Sequence, residues 1–402
     1  MIKTWPLFFG LGVLMIGNGL QGTLLGVRAG LEGFSYLETG FVMSLYFVGY
    51  LIGSLKVPHF IAAVGHIRVF AALASLASVT ILIHGVFVDP ITWYAVRVIS
   101  GFSFAGLYLV VESWLNDAAT NKTRGTIMGA YMVVTYLGMT IGQFLLNIAD
   151  PKDIELFVMT SVLVSIALLP ISLSKRPAPD FTVAENISFL TIWRRSPLGI
   201  LGVIMIGVTS AAIFGIGPVY AQQIGLSNAG ISTFMAAFLI GAVAFQMPLA
   251  YISDHMDRRK MIIILGFSSA FMAFLLMAMA GYAQWITFMI MAGLGGACLP
   301  IYGQCISHVN DHLLPRQFVA STGALLLLNG TGAAFGPLVA TAMMQFTGVQ
   351  GFVITLILSL GSIGLFGIYR SFRSDAVPMD DQGDTILMPA RGSSVSIYTE
   401  DS

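Results

Sequence analysis

Two residue types stand where they are costly. Arg97 and Glu112 lie inside one apolar run, from Trp93 to Leu115, with Gly101, Ala105, Gly106 and Tyr108 between them. A charge in hydrocarbon costs several kcal/mol unless it meets water, a partner or a bound solute, so this stretch must face something other than lipid. At 100° per residue, Gly101, Ala105, Tyr108 and Glu112 fall within about 80° of Arg97. That makes one stripe, polar at both ends and small in the middle. Arg97 and Glu112 are separated by roughly 22 Å of helix and cannot pair, so each needs its own reason to be there. For Arg97 the alternatives are packing between helices and a tuning or closing role. For Glu112 they are a reach toward the nearby aqueous interface and the lining of a water-filled cavity, where a carboxyl group changes protonation or binds a cation.

The first apolar run carries Asn18, Gln21 and Arg28, which form a polar stripe along one side, with Arg28 expected at the outer mouth. Several other patterns carry no chemistry. Gly17-Asn-Gly19-Leu-Gln-Gly22 has nucleotide-fingerprint spacing, but no strand precedes it, and that fingerprint needs a strand–turn–helix setting. His308 and His312 could share a metal, but no third ligand is apparent, so no metal site is assigned. Cys298 and Cys305 would lie about 10 Å apart on one helix, too far for a disulfide. No nucleophile–base arrangement is present and no cofactor is implied, so the chain does not read as an enzyme.

The elements that must hold these residues follow from composition. The chain is 56% hydrophobic and 9% charged, with mean hydropathy +0.86, against about 25% charged residues in soluble domains. Formal net charge is zero, so no nucleic-acid partner is indicated. Apolar runs at 7–27, 37–58, 68–88, 91–115, 125–148, 154–173, 198–221, 229–252, 261–281, 284–306, 317–345 and 350–369 predict twelve membrane helices. With the N-terminus inside, every loop Lys and Arg except Arg28 and Lys152 falls on the cytoplasmic side, and both termini are expected there. The expected organisation is a six-helix bundle over 1–173, a polar cytoplasmic loop over 174–196, a second bundle over 197–371 and a disordered acidic tail over 372–402.

Sliding the chain by 192 positions aligns the halves without a gap. Gly33 meets Gly225, Ser35 meets Ser227, Gly49 meets Gly241, Trp93 meets Trp285, Gly101 meets Gly293, Arg124 meets Arg316 and Gly138 meets Gly330. The same register sets Glu112 against Gln304, Arg97 against Met289, Asn116 against His308 and Asp254 against Ala62. The expectation is a two-fold scaffold whose charged residues belong to the first half, a plan known among transporters with a midplane site.

After the eighth run, Ala250-Tyr-Ile-Ser-Asp254-His-Met-Asp257-Arg258-Arg259-Lys260 resembles the loop motif of the major facilitator superfamily, with Ala250 and Asp257 in place of its two glycines. Arg97 with Gly101, continued to Asp117, Arg124 and Gly125, resembles the same superfamily's fourth-helix signature. The wording around Gly65-His66-Ile67-Arg68 and Glu112-Ser-Trp114-Leu-Asn116 is similar to the YcaD-like branch. The resemblance implies an all-α membrane fold of two six-helix bundles. It implies that Asn18, Gln21, Tyr108, Glu112, Ser210 and Gln304 line a cavity, and that Asp254, Arg258, Arg259 and Arg124 act at a cytoplasmic gate, with Asp254 aimed at the start of the fifth run. Span five lacks the proline expected of a typical drug–proton antiporter. The function so implied is secondary transport of a small organic solute by a monomer in a bacterial inner membrane, proton-coupled through Glu112 with Arg97. Efflux of amphipathic organic cations and a non-transporting membrane sensor are the alternatives.

Overall fold

The computed structural model describes residues 5–120, 123–172, 188–279, 282–314 and 317–373, with 377, 378, 382 and 383. For Arg124, Gly125, Ser172, Ala250, Asp254 and Val319 it describes the backbone alone. Among the described residues all regular structure is helical: α1 (Trp5–Leu31), α2 (Tyr36–Val64), α3 (His66–Val86), α4 (Pro90–Asp117), α5 (Arg124–Leu145), α6 (Glu155–Ser172), α7 (Phe189–Arg195), α8 (Pro197–Gln223), α9 (Asn228–Asp254), α10 (Arg258–Ala278), α11 (Gln284–Cys298), α12 (Pro300–Asn310), α13 (Phe318–Thr347) and α14 (Gly351–Ser371), with a 3-10 turn at Gly348–Gln350. α11 and α12 form one membrane-length segment, Gln284–Asn310, broken at Pro300, and α7 is too short to span. Among the described residues, counting α11 with α12 as one and including the shorter α6, twelve apolar spans result, in line with the runs expected from the sequence. The short α7 lies inside the stretch expected to be a loop.

Local sequence explains where these helices start. Ser35 and Glu38 close a capping box at α2, the Ser35 N–H donating to Glu38 at 2.8 Å and the Glu38 N–H to the Ser35 hydroxyl at 3.3 Å. The related Ser227 accepts from the Gly230 N–H at 3.3 Å at the start of α9. Asp89 caps α4, accepting from the Thr92 N–H at 2.9 Å, and Pro90 takes the first helical position, where no N–H is needed. Asp257, which stands where the superfamily motif has a glycine, caps α10 by accepting from the Lys260 N–H at 3.0 Å. Gly65 joins α2 to α3 at φ +86, a conformation a side chain would strain.

The chain forms two compact units, Met1–Val183 with Ile213–Ala236, and Ala184–Ala212 with Ala237–Ser402. In the first, α2 packs along α4, α1 along α5 and α6, and α3 along α4 and α6. In the second, α10 packs against α14 and α11, and α13 against α14. Small residues let backbones meet, as between membrane helices generally. A Cβ on Gly101 would lie 2.7 Å from the Tyr46 carbonyl carbon and 2.9 Å from the Tyr50 nitrogen.

The helix boundaries and close approaches correct the gap-free repeat. α1 and α8 begin 192 positions apart, as do α2 and α9, and α3 and α10, but α4 and α11, and α5 and α13, begin 194 apart. Glycine contacts agree. Gly101 meets the backbone of Tyr46, while the glycine that meets Phe238, the counterpart of Tyr46, is Gly295 and not Gly293. Gly332, not Gly330, matches Gly138. The two added positions lie in the α10–α11 connection, 279–283 against 87–89. Arg97 therefore corresponds to Met291, Glu112 to Ile306 and Asn116 to Asn310. The one-sided charge survives the correction, with apolar residues opposite both ionisable groups. Tyr108 and Ser113 now match Tyr302 and Ser307 by identity.

Candidate functional site

The first unit gathers its polar side chains on α1, α2, α4 and α5. Glu112 is wholly buried, 0% exposed, and its carboxylate accepts a hydrogen bond from the Tyr131 hydroxyl on α5. Its side chain is thus turned into the unit and not to the acyl chains. Tyr131 is itself buried at 3% exposure. One helical turn before Glu112, the Tyr108 hydroxyl accepts from the Asn18 amide of α1. The Gln21 amide of α1 donates to the Ser100 hydroxyl of α4 at 3.3 Å. The α1–α4 pairing is therefore polar at two levels. Buried polar groups seek such partners because an unmet donor or acceptor is costly.

Arg97 lies at the other end of α4. Its Nε donates to the Val42 carbonyl of α2 at 3.1 Å, and its guanidinium stands 4.4 Å from the centre of the Tyr46 ring. The charge is thus met by a carbonyl dipole and an aromatic face, and Arg97 fastens α4 to α2. Tyr46, Tyr50, Phe104 and Tyr108 continue from it as tilted ring pairs with centroids 6.0–6.4 Å apart. This aromatic wall leads from the arginine toward the Asn18–Tyr108 contact.

The two stretches that resemble the YcaD-like branch meet. The His66 Nε2 lies 3.0 Å from the Ser113 hydroxyl, and the imidazole stacks on Trp114 with centroids 6.1 Å apart. Ser113 and Trp114 adjoin Glu112 on α4, so this contact fixes the helix one residue from the carboxylate. In the second unit, Ser210 donates to the Gly207 carbonyl at 3.3 Å, and Gln304 accepts from the Ser253 hydroxyl at 2.6 Å.

At the start of α10, Arg258 donates to both carboxylate oxygens of Asp311, at 2.6 and 2.5 Å, and Arg259 is buried at 7% exposure. The side chains of Asp254 and Arg124 lie outside the described residues, as does Arg316. Arg28 pairs with Glu32 at 2.9 Å and donates to the Pro151 carbonyl at 3.1 Å. The His308 and His312 rings meet edge to face at 4.8 Å. Cys298 and Cys305 are both buried and unbridged.

Sequence reasoning missed Tyr131, Ser100, Tyr46, Ser253 and Asp311. All are polar partners supplied by a neighbouring helix, which the pattern of one helix does not reveal. Asp311 carried a signal: a carboxylate at the end of an apolar span.

A chain of twelve apolar helices, with a buried carboxyl, paired amides and an aromatic wall inside a helical unit, has the make-up of a membrane carrier. The family model described as Major Facilitator Superfamily matches residues 7–227 and 198–385. The chain belongs to that superfamily, and it is a non-enzymatic integral membrane transporter acting on a small-molecule solute. It is 25% identical over 381 residues to an uncharacterized MFS-type transporter YcaD of Escherichia fergusonii, covering 93% of this chain and 97% of the relative. It is 25% identical over 341 residues to the protein of that name from Salmonella typhi, covering 84% and 88%. Among solved structures, the nucleoside transporter NupG matches with TM-score 0.73 and 14% identity, covering 93% of this chain and all of that one. A bacterial homolog of the human lysosomal transporter Spinster, inward-facing and occupied, matches with TM-score 0.74 and 11% identity, covering 95% and 99%. At those identities the shared feature is the fold.

Proposed function

We propose that this transporter carries a small organic solute by alternating access and couples it to protons, with Glu112 as the proton carrier. The observation that carries this reading is a wholly buried carboxyl on α4 that accepts a hydrogen bond from a phenolic hydroxyl. A hydroxyl both donates and accepts, so the Tyr131 contact can serve the carboxyl with or without its proton. A neutral carboxyl also crosses a closing, water-poor space far more cheaply than a charged one. In this reading Asn18, Gln21, Tyr108, Ser210 and Gln304 line the solute cavity, as the superfamily resemblance implies. Arg97 holds α4 in place, and Asp254, Arg258, Arg259 and Arg124 act at the cytoplasmic gate. Both termini are cytoplasmic, and the protein works as a monomer in a bacterial inner membrane.

The aromatic wall of Tyr46, Tyr50, Phe104 and Tyr108 beside a single acid favours a second reading, proton-driven efflux of amphipathic organic cations. Drug sensitivity of a strain lacking the gene separates it from uptake. For the first reading, a thermal-shift screen of metabolites against the purified protein finds a binder. That binder is then added to weakly buffered protein with a pH indicator. Solute binding should move protons between protein and solution, and Glu112→Gln should silence the signal while still binding. An undiminished signal in that variant removes Glu112 as the carrier.

A further inference from the structure

One surface of the second unit is used by a segment that the transport reading does not employ. Arg258 opens α10 with a side chain only 2% exposed, and Asp311, just after α12, is 4% exposed. The guanidinium is shared. Nη1 holds the Asp311 carboxylate, and Nη2 donates to the backbone carbonyl of Gly383 at 2.5 Å. The Gly383 N–H in turn donates to Asp311 at 3.2 Å. A residue from beyond the end of α14 thus bonds both members of a buried ion pair, one bond to each.

The surroundings are strongly basic. Arg259 is buried beside Arg258, and His308 lies within electrostatic reach of Arg258, Arg259, Arg370 and His312. Three guanidinium groups and two imidazoles gather here, against the carboxylates of Asp311 and of Asp257, which is engaged in capping α10. The chain around Gly383 has the complementary charge. Its sequence reads Asp380-Asp381-Gln382-Gly383-Asp384, three carboxyl groups in five residues and no base. Like charges gathered at a partly dehydrated helix end repel one another, and an acidic segment laid across them relieves that cost.

We propose that this basic surface, formed by the start of α10, the end of α12 and the end of α14, is the docking site of the protein's own acidic tail, clipped through Gly383 to Arg258 and Asp311. Because Arg258 belongs to the loop motif that follows α9, the strap ties the tail to the same stretch the superfamily resemblance places at the gate. The attraction is electrostatic, so ionic strength controls the docking. Debye screening shortens from about 10 Å at 0.1 M to about 3 Å at 1 M salt.

The test places a nitroxide at Gly383→Cys in a Cys298→Ser, Cys305→Ser background of the full chain. A Cβ at Gly383 meets nothing within 4 Å, so the label has room. In phosphatidylcholine nanodiscs at low salt, the electron paramagnetic resonance spectrum should be dominated by an immobile component. That component should fall at least severalfold in 1 M salt, and likewise when Asp380, Asp381 and Asp384 are all changed to Asn. These three lie beyond α14, so the helical unit is left unaltered. A mobile label in the otherwise unaltered chain at low salt overturns the proposal. So does an immobile label indifferent to both salt and the Asn changes. Release in nanodiscs of anionic phospholipid, with retention in phosphatidylcholine, assigns the surface to lipid headgroups and also overturns it.

Discussion

Substituting Gly101, Gly295 and Gly293 singly with alanine tests the architecture at its tightest point. At Gly101 the new Cβ would lie 2.7 Å from the Tyr46 carbonyl carbon and 2.9 Å from the Tyr50 nitrogen. At Gly295 it would lie 2.7 Å from the Phe238 carbonyl carbon. Carbon atoms rest about 3.5–4.0 Å apart, so each crossing must open by roughly 1 Å along backbone that cannot rotate away. Overpacking of this kind costs about 1–3 kcal/mol, and more where backbone meets backbone. At Gly293 the nearest atoms are the Met272 sulfur at 3.0 Å and its Cγ at 3.7 Å, the end of a flexible side chain that can swing aside. Thermal unfolding in detergent, read by tryptophan fluorescence and gel filtration, should show Gly101→Ala and Gly295→Ala lowered together, each by several degrees. Gly293→Ala should stay close to the unaltered protein. If Gly293→Ala proves as damaging as Gly101→Ala, and Gly295→Ala is tolerated, the 194-position correspondence of α4 and α11 is wrong.

Other expectations follow from single contacts. Tyr131→Phe removes the donor to Glu112 and little volume; it should leave the melting temperature nearly unchanged while impairing proton-linked solute movement, and intact coupling would reduce Tyr131 to packing. His66→Ala strips the Ser113 partner and the ring stacked on Trp114, a loss of about 1 kcal/mol for the hydrogen bond, and should red-shift the tryptophan emission. The Thr92 backbone N–H and hydroxyl hold the Asp89 carboxyl below its ordinary range. Its contribution to the α4 start is therefore complete above the ordinary aspartate pKa and fades as pH falls through the lowered one. Melting curves at stepped acidic pH should show that loss in the unaltered chain and a shallower one in Asp89→Asn.

What could be read in the sequence divides along physical lines. The apolar spans were legible because a run of some twenty apolar residues has one stable setting. The repeat was legible, but its two-residue slip was hidden by abundant glycines that match in either register. Trp93 and Trp285 misled most. Trp93 is fully buried and donates to the Phe87 carbonyl at 2.9 Å, whereas Trp285 is 66% exposed, so their shared identity reflects no shared environment. The pair Asn116 and Asn310, with Tyr108 and Tyr302, already spelled the other register. The costly position of Glu112 was visible from its type alone. Its partner was not, because Tyr131 comes from the next helix and looks like any aromatic in an apolar run.

The role of Glu112 is tested most directly by comparing two modes of solute movement in proteoliposomes. Counterflow exchanges labelled for unlabelled solute and requires no net proton movement, while accumulation under an imposed pH gradient does. Glu112→Gln keeps the shape of the side chain and cannot release a proton. This variant should retain counterflow and lose gradient-driven accumulation. Accumulation at the unaltered rate would contradict this role.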